Sequence, residues 1–337
     1  TLELIGMLID KPTLEQSKLK TIIDSELAVR KVERSEPDAV ANALYNYGLY
    51  ENKSSYIDRL SSKELKKLQA TKVVDAFKKA TTYNVQFRFT GKTSAKDVSD
   101  MIIKHIPMHE KPLIDKNELD KPRKSYSENT VFFVNKPKSR QSKMFFYFAG
   151  NSFSPEKAVE IEAYNEYIGG GFNGLILQEI REYRSLSYAA GGSFSLPKEV
   201  GKPYDFYGYV GTQSDKTLTA MEVFTSLIRD MPQKPERTDM IRNYLDLSSQ
   251  TKRPGFRDLA YSVENWKLLG YKEDPMITKL EGYKNLTWET INNFYINEVK
   301  DKPMVYMIVG DKKQIDMKEL AKYGKVVEIK EKKLYNK

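Results

Sequence analysis

Two side chains that carry hydrogen-bond donors, Arg181 and Tyr188, lie seven positions apart in the glycine-rich stretch 169–196. The pattern predicts a helix that begins with Asn173 as its cap, followed by a strand from Tyr188 onward. A guanidinium near the end of that helix and a phenol at the start of the strand would project toward the same end of a sheet. Both groups donate hydrogen bonds, so together they can hold one carbonyl oxygen or a developing oxyanion. The spacing alone favours a simpler interpretation, in which the arginine lies over a helix end and the tyrosine packs at the start of a strand.

The elements that must position this pair alternate between strand and helix. Alternation in the stretch after residue 187 places Tyr188 on the same side of its strand as Ala190, Gly192 and Phe194. A helix is expected after Pro155, because apolar residues there recur at helical spacing. Further strands are expected at 131–135, 143–149, 204–212 and 326–330.

Residues 1–110 are expected to repeat the second half of this pattern. A strand at 83–90 followed by a helix parallels 303–310 and its helix, and similar offsets of roughly 217–219 residues recur along the chain. This first copy has no counterparts of the strands at 131–149 and 188–212. Its sheet would therefore need strands from upstream sequence or from a partner chain, since a half-sheet exposes unpaired edges.

These observations together predict an α+β protein in which antiparallel-rich sheets carry helices packed on one face. Residues 1–110 are expected to be an N-terminally truncated domain, and residues 130–337 a complete one. The polar, proline-bearing stretch 111–129 is expected to be the linker between them.

The stretch 169–196 resembles a signature of the insulinase/pitrilysin family of zinc metallopeptidases, which includes the mitochondrial processing peptidases. That signature is a glycine-rich turn, a helix with an arginine, and a tyrosine seven positions later. The family's catalytic motif, His-x-x-Glu-His, is absent from this sequence. The resemblance implies duplicated mitochondrial-processing-peptidase-like domains, with 1–110 as the end of a third domain and 130–337 as all of a fourth. The chain would then be the C-terminal, non-zinc part of such a peptidase.

The resemblance also implies a function. In the family, the arginine and tyrosine lie across from the zinc site of the other half, where they hold the substrate and support the tetrahedral intermediate. We therefore expect this chain to close a catalytic chamber and to bind peptide through Arg181, Tyr188, Gly170, Gly171 and Phe172.

Partners follow from the same resemblance. Zinc would be supplied by the N-terminal half of the same polypeptide or by a homologous subunit, and this chain alone would bind no zinc and cleave nothing. A non-catalytic scaffold subunit of the same fold is the alternative, and a His-x-x-Glu-His motif in the upstream sequence would distinguish the two. The long bacterial members of the family favour a periplasmic or secreted setting.

The other candidate metal ligands have simpler interpretations. His105 and His109 stand four apart beside Glu110, but Pro107 disrupts a helix there and Met108 leaves no glutamate within the motif. We expect exposed linker histidines. Glu26 corresponds in the resemblance to a third zinc ligand of the catalytic copy, and here it is expected to be an ordinary charged helix residue.

Composition excludes several classes of protein. The chain has no cysteine, which removes thiol catalysis and disulfides, and no apolar run near the ~18 residues of a membrane span. Its 55 basic and 46 acidic residues are interspersed, which indicates a solvated surface and not a nucleic-acid-binding groove. The string Gly169-x-Gly171-x-x-Gly174 matches a dinucleotide-binding motif, but the segment before it has helical period where that motif needs a strand.

Overall fold

The computed structural model describes residues 1–108, 112–113 and 121–336 of the 337-residue chain. His109, Glu110 and residues 111 and 114–120 of the expected linker lie outside the described residues. The strands are β1 (Thr130–Asn135), β2 (Gln141–Ser152), β3 (Ser187–Ser195), β4 (Pro203–Gln213), β5 (Val305–Gly310) and β6 (Lys325–Glu328).

Helices precede and separate these strands. In the first 108 residues they are α1 (Leu2–Asp10), α2 (Gln16–Ser35), α3 (Pro37–Tyr50), α4 (Ser62–Lys66), α5 (Ala70–Ala80) and α6 (Ala95–His105). In the remainder they are α7 (Ala158–Gly169), α8 (Leu175–Leu177), α9 (Thr217–Arg229), α10 (Thr238–Thr251), α11 (Leu259–Leu268), α12 (Pro275–Lys284), α13 (Trp288–Glu298) and α14 (Met317–Leu320). None of the helices in the described ranges is long and apolar enough to cross a membrane.

The strands form one mixed sheet in the order β3-β4-β2-β5-β1-β6. β1 runs parallel to β5 and β6, whereas β2 pairs antiparallel with β4 and β5, and β3 antiparallel with β4. The expected α+β class with an antiparallel-rich sheet is thereby confirmed. The domain boundaries stay predictions, although each strand of this sheet lies in 130–337.

One face of the sheet carries the larger hydrophobic core. Helices α7, α9, α10 and α13 pack there over inward-facing aromatic residues, of which Phe146 and Phe224 stack with ring centroids 3.9 Å apart. Gly208 makes this contact possible, because a Cβ at that position would lie 2.3 Å from the Phe224 ring. Burying one such phenylalanine contributes roughly 1.5–3 kcal/mol.

The opposite face is covered by α3, which comes from the part of the chain expected to be a truncated domain. Val40 and Leu44 of α3 are fully buried in a second core that also contains Phe145 and Met307 of the sheet. The expectation that helices pack on one face of the sheet therefore holds for the helices of residues 130–337, whereas α3 packs on the other face. β5 is buried along its whole length, as strands covered on both faces are.

The strand expected at 83–90 is not formed. Tyr83 makes an isolated bridge with Leu113, and the residues that follow have no regular secondary structure. Val85, Phe87 and Phe89 alternate as a strand would, but they are exposed. An isolated strand has no partner for its backbone groups or its apolar side chains, so alternation alone does not stabilise it.

The first 108 residues also expose apolar side chains on their helices. Leu4, Met7 and Leu8 on α1 are largely exposed, as are Ile22 and Val32 on α2. Apolar surface of this extent typically marks a contact with another protein segment.

Candidate substrate-binding site

Arg181 lies in a π-helical turn, Gln178–Glu182, that continues α8. The wide turn closes through the Tyr183 N–H, which donates to the Gln178 carbonyl at 2.9 Å. The expected cap at Asn173 is wrong. The helix is preceded by Gly174, whose carbonyl accepts from the Gln178 N–H at 3.2 Å, and no side chain caps it. Such π turns often occur at functional sites, because they shift one side chain out of helical register.

Tyr188 lies in a β-bulge at the start of β3. Ser187 pairs with Thr212 and Ala189 with Gly211, so β3 has one extra residue here. The Ser187 hydroxyl fixes the bulge: its single proton is shared between the carbonyls of Gly211 (2.6 Å) and Ala189 (2.8 Å), and its oxygen accepts from the Ala189 N–H (3.1 Å). A bulge re-aims the side chain of the extra residue.

The bulge overturns one expectation about the strand. Ala190 and Phe194 face the main core as alternation predicts, whereas Tyr188 does not share their burial and is 82% exposed. The tyrosine is therefore available to a ligand, not packed at the start of the strand.

Three of the expected site residues meet at this end of the sheet. The Arg181 guanidinium carbon lies 4.6 Å from the centroid of the Tyr188 ring and 5.7 Å from that of Phe172. Its Nε is 3.3 Å from an oxygen of Glu182. Within the described part of the chain its terminal nitrogens carry no hydrogen bond, and Phe172 is 72% exposed. The guanidinium thus lies near two exposed rings with donors free for a ligand.

The glycine turn (residues 169–174) carries Phe172. Its position is fixed by hydrogen bonds from Arg237, a residue that the sequence analysis did not identify. Arg237 donates to the Asn173 carbonyl and to Gln178 Oε1 (3.3 Å), and its guanidinium lies 5.7 Å from the Tyr167 ring centroid. Gly171 has a φ of +57°, a left-handed conformation that favours glycine. No local signal in the sequence identifies this anchor, because it is supplied by a segment more than sixty positions downstream.

We expect Arg237→Gln to loosen the glycine turn without unfolding the core. The loss of two hydrogen bonds from a charged donor removes roughly 1.5 kcal/mol of local stability, which is about a tenfold faster exchange of the amides in the turn. Hydrogen exchange at Asn173 and Gly174 measures this. Arg257→Gln is the control, since no side-chain partner of Arg257 occurs in the described ranges. Unchanged exchange in Arg237→Gln would show that the turn is held by its own backbone.

β3 is an edge strand, and half of its edge is covered. The side-chain amide of Asn165 accepts from the Phe194 N–H (2.7 Å) and donates to the Phe194 carbonyl (3.0 Å). Gly169 lies against the Gly192 carbonyl, which would be 2.0 Å from a Cβ there. Ala190 has the same orientation in the ladder and makes no edge-side hydrogen bond to any described residue. An open backbone position therefore lies beside Tyr188.

The structure also places the other sequence candidates. Glu26 forms an i, i+4 ion pair with Arg30 at 2.7 Å, as an ordinary helix residue does. His105 is half-buried at the end of α6, so the expectation of an exposed linker histidine is wrong for this residue; its carbonyl lies against Gly6. No cluster of three or more potential metal ligands occurs among the residues for which the structure gives positions, so these residues do not fit a zinc ion. The segment before Gly169 is helix α7, which rules out the dinucleotide-binding motif.

The chain belongs to a known class of peptidase-related proteins. Residues 67–245 match the family described as the peptidase M16 inactive domain, and the chain belongs to that family. This match confirms the resemblance seen in residues 169–196, which identified the chain as the C-terminal, non-zinc part of such a peptidase. No curated protein sequence matches the chain.

Solved structures agree on the fold. The chain is similar to a peptidase M16 inactive domain from Pseudomonas fluorescens (TM-score 0.68, 18% identity, 92% of this chain and 74% of that one). It is also similar to a conserved protein from Enterococcus faecalis V583 (0.69, 12%, 94% and 74%). A third similar structure is the periplasmic protease PqqL from Escherichia coli (0.66, 14%, 92% and 34%), of whose length the chain spans about a third. At these identities the likeness shows the fold alone.

Proposed function

We propose that this chain is the substrate-holding, non-catalytic half of a metallopeptidase. The observation that carries the proposal is the meeting of Arg181, Phe172 and Tyr188 at the open end of an edge strand. An extended peptide pairs there with the backbone of Ala190. Its carbonyl oxygen accepts from the free nitrogens of Arg181 and from the Tyr188 hydroxyl, while the exposed rings contact its side chains.

The hydrolytic step belongs to another half, which supplies the zinc and activates the water. The described residues of this chain bind and orient the peptide. The exposed apolar helices α1 and α2 suit the contact with such a half, because apolar surface of this kind is typical of stable interfaces. A periplasmic or secreted setting is part of the proposal and is supported by the description of the Escherichia coli neighbour.

The proposal is tested by reconstitution. The chain is mixed with a half that carries His-x-x-Glu-His, and both association and the hydrolysis of an unfolded peptide are measured. We expect chelator-sensitive cleavage when both halves are present and none from this chain alone. If the halves associate but the chain does not change the cleavage rate, the chain is a scaffold. Chelator-sensitive cleavage by the isolated chain would contradict the assignment of the chemistry to the other half.

A further inference from the structure

A cleft of about 660 Å³ lies directly beside the glycine turn. Its walls are α7 from Glu162 onward, the turn itself, the second half of α10, and α12. Ser193 of the edge strand also lines it, so the cleft opens next to the path proposed for the peptide backbone. Exposed rings of Phe172 and Tyr244 stand among the lining residues.

Two glutamates of α7 line this cleft, and their environments differ. The Glu162 carboxylate accepts from Lys279 Nζ at 2.5 Å and from the Tyr283 hydroxyl. Glu166, one turn later, is half-buried and has no ion pair or side-chain hydrogen bond within the described ranges. Burial raises the pKa of the Glu166 carboxyl, against the smaller opposing effect of Lys252 and Arg237. A half-buried carboxylate is only partly solvated, so Glu166 offers an unpaired acceptor to a cationic group that enters the cleft.

The two cationic side chains nearest to Glu166, Arg237 and Lys252, do not form an ion pair with it. Arg237 is committed to the Asn173 carbonyl and to Gln178. Lys252 is exposed, and its ammonium lies 5.8 Å from the Tyr244 ring centroid without an ion pair to Glu166. Gly170 leaves the space that the carboxylate occupies, because a Cβ at that position would lie 2.3 Å from Glu166 Oε1.

We propose that this cleft is a specificity subsite for a lysine or arginine side chain of the bound peptide, whose cationic group pairs with Glu166. The proposal rests on the peptide-binding function proposed above. The aliphatic stem of the peptide residue packs against the rings of Tyr244 and Phe172, and its charge reaches the carboxylate beside Gly170. The positive charge of Lys252 lies near the same carboxylate and competes with the cationic group of the peptide. Lys252 therefore weakens the preference for a lysine or arginine side chain.

The test compares peptides that differ in one side chain. A set of labelled peptides carries lysine, norleucine or glutamate at one position that is moved along the sequence, and binding to the 337-residue chain is followed by fluorescence anisotropy. At one position we expect lysine to bind about tenfold more tightly than norleucine, and glutamate to bind worst. Glu166→Gln is expected to bring the lysine-to-norleucine ratio close to one. Lys252→Gln is expected to increase it.

Controls separate this role from a structural one. Glu156→Gln, an exposed glutamate just before α7, should leave the ratio unchanged. Glu166→Gln should melt at the same temperature as the wild type or higher. A carboxyl whose pKa is raised by folding weakens stability as the pH rises through that pKa, so the neutral amide is favourable at pH 7. A lower melting temperature with a parallel loss for every peptide would overturn the proposal.

The two proposals fail differently. If norleucine peptides bind and lose affinity in Arg181→Gln, but lysine gives no preference at any position, the peptide-binding function stands and the subsite is wrong. If the wild-type chain binds none of the peptides, the peptide-binding function is wrong and the subsite fails with it.

Discussion

Replacing Arg181 with glutamine is expected to lower kcat/KM for peptide cleavage by the assembled halves by about 10²–10³-fold, the usual effect of removing one oxyanion donor. The guanidinium lies near the rings of Phe172 and Tyr188, and its terminal nitrogens are free within the described part of the chain. Glutamine keeps a donor but loses the charge and the planar fork. If the contact forms mainly in the transition state, kcat falls as much as kcat/KM, whereas a ground-state contact would raise KM instead.

Matched substitutions within the same turn provide the controls. Arg184→Gln alters an arginine three positions away that bonds Glu179, and Tyr183→Phe removes the hydroxyl of an exposed tyrosine. Both should cleave at nearly the wild-type rate. Tyr188→Phe keeps the ring beside Arg181 and removes one donor, so we expect a loss of at least about tenfold. Equal losses in Arg181→Gln and Arg184→Gln would mean that the turn needs its arginines for structure, and the site assignment would be wrong.

Local sequence pattern predicted the pair at this site because its helix, turn and strand are consecutive in the chain. Arg181 and Tyr188 are brought together by a turn of a few residues, and helical and strand periods are visible over that range. The exposure of Tyr188 was not predictable in this way. It depends on a bulge that Ser187 fixes through a carbonyl of β4, and a period of two contains no sign of an extra residue.

Elements that depend on distant partners were harder to predict. Alternation at 83–90 is clear, yet no strand forms there, because that stretch has no strand beside it among the described residues, whereas β5 lies between β1 and β2. The position of α3 on the second face follows from apolar residues of β1 and β5 that need cover on both sides. Their continuous apolar runs indicate double burial but not which helix provides it.

The contact between this second face and the C-terminal part of the expected linker, from Lys121 onward, is held by a buried charge. Asp205 of β4 is almost fully buried, accepts from Arg123 and lies 3.2 Å from the Tyr147 hydroxyl, which donates to it. Arg123 also donates to the Tyr50 hydroxyl of α3 at 3.3 Å. Burial raises the pKa of the Asp205 carboxyl, and Arg123 opposes that rise. Arg123 therefore links its own segment to β4 through the Asp205 carboxylate and to α3 through the Tyr50 hydroxyl.

Replacing Arg123 with methionine is expected to cost about 2–3 kcal/mol of folding free energy at pH 7. Removing one partner of a fully buried ion pair typically lowers the folding free energy by roughly 3–5 kcal/mol. We expect a smaller loss here because the Arg123 side chain is 39% exposed, so solvent screens part of the interaction. Without the guanidinium the pKa of Asp205 rises further. The loss should therefore be largest above that raised pKa and should shrink as the pH falls and the carboxyl is protonated. Denaturant unfolding at pH 7 and at pH 4 measures this difference.

Two companion variants make the result specific to the buried carboxylate. Lys121→Met, two positions earlier, breaks an exposed pair with Asp58 and should change stability little at either pH. Asp205→Asn combined with Arg123→Met should recover much of the loss at pH 7, because a neutral amide does not need the guanidinium. If the loss in Arg123→Met is the same at both pH values, the arginine acts through packing of its stem and not through Asp205. Recovery in the double variant would instead show that a single buried charge sets how firmly α3 and the segment from Lys121 are held on the sheet.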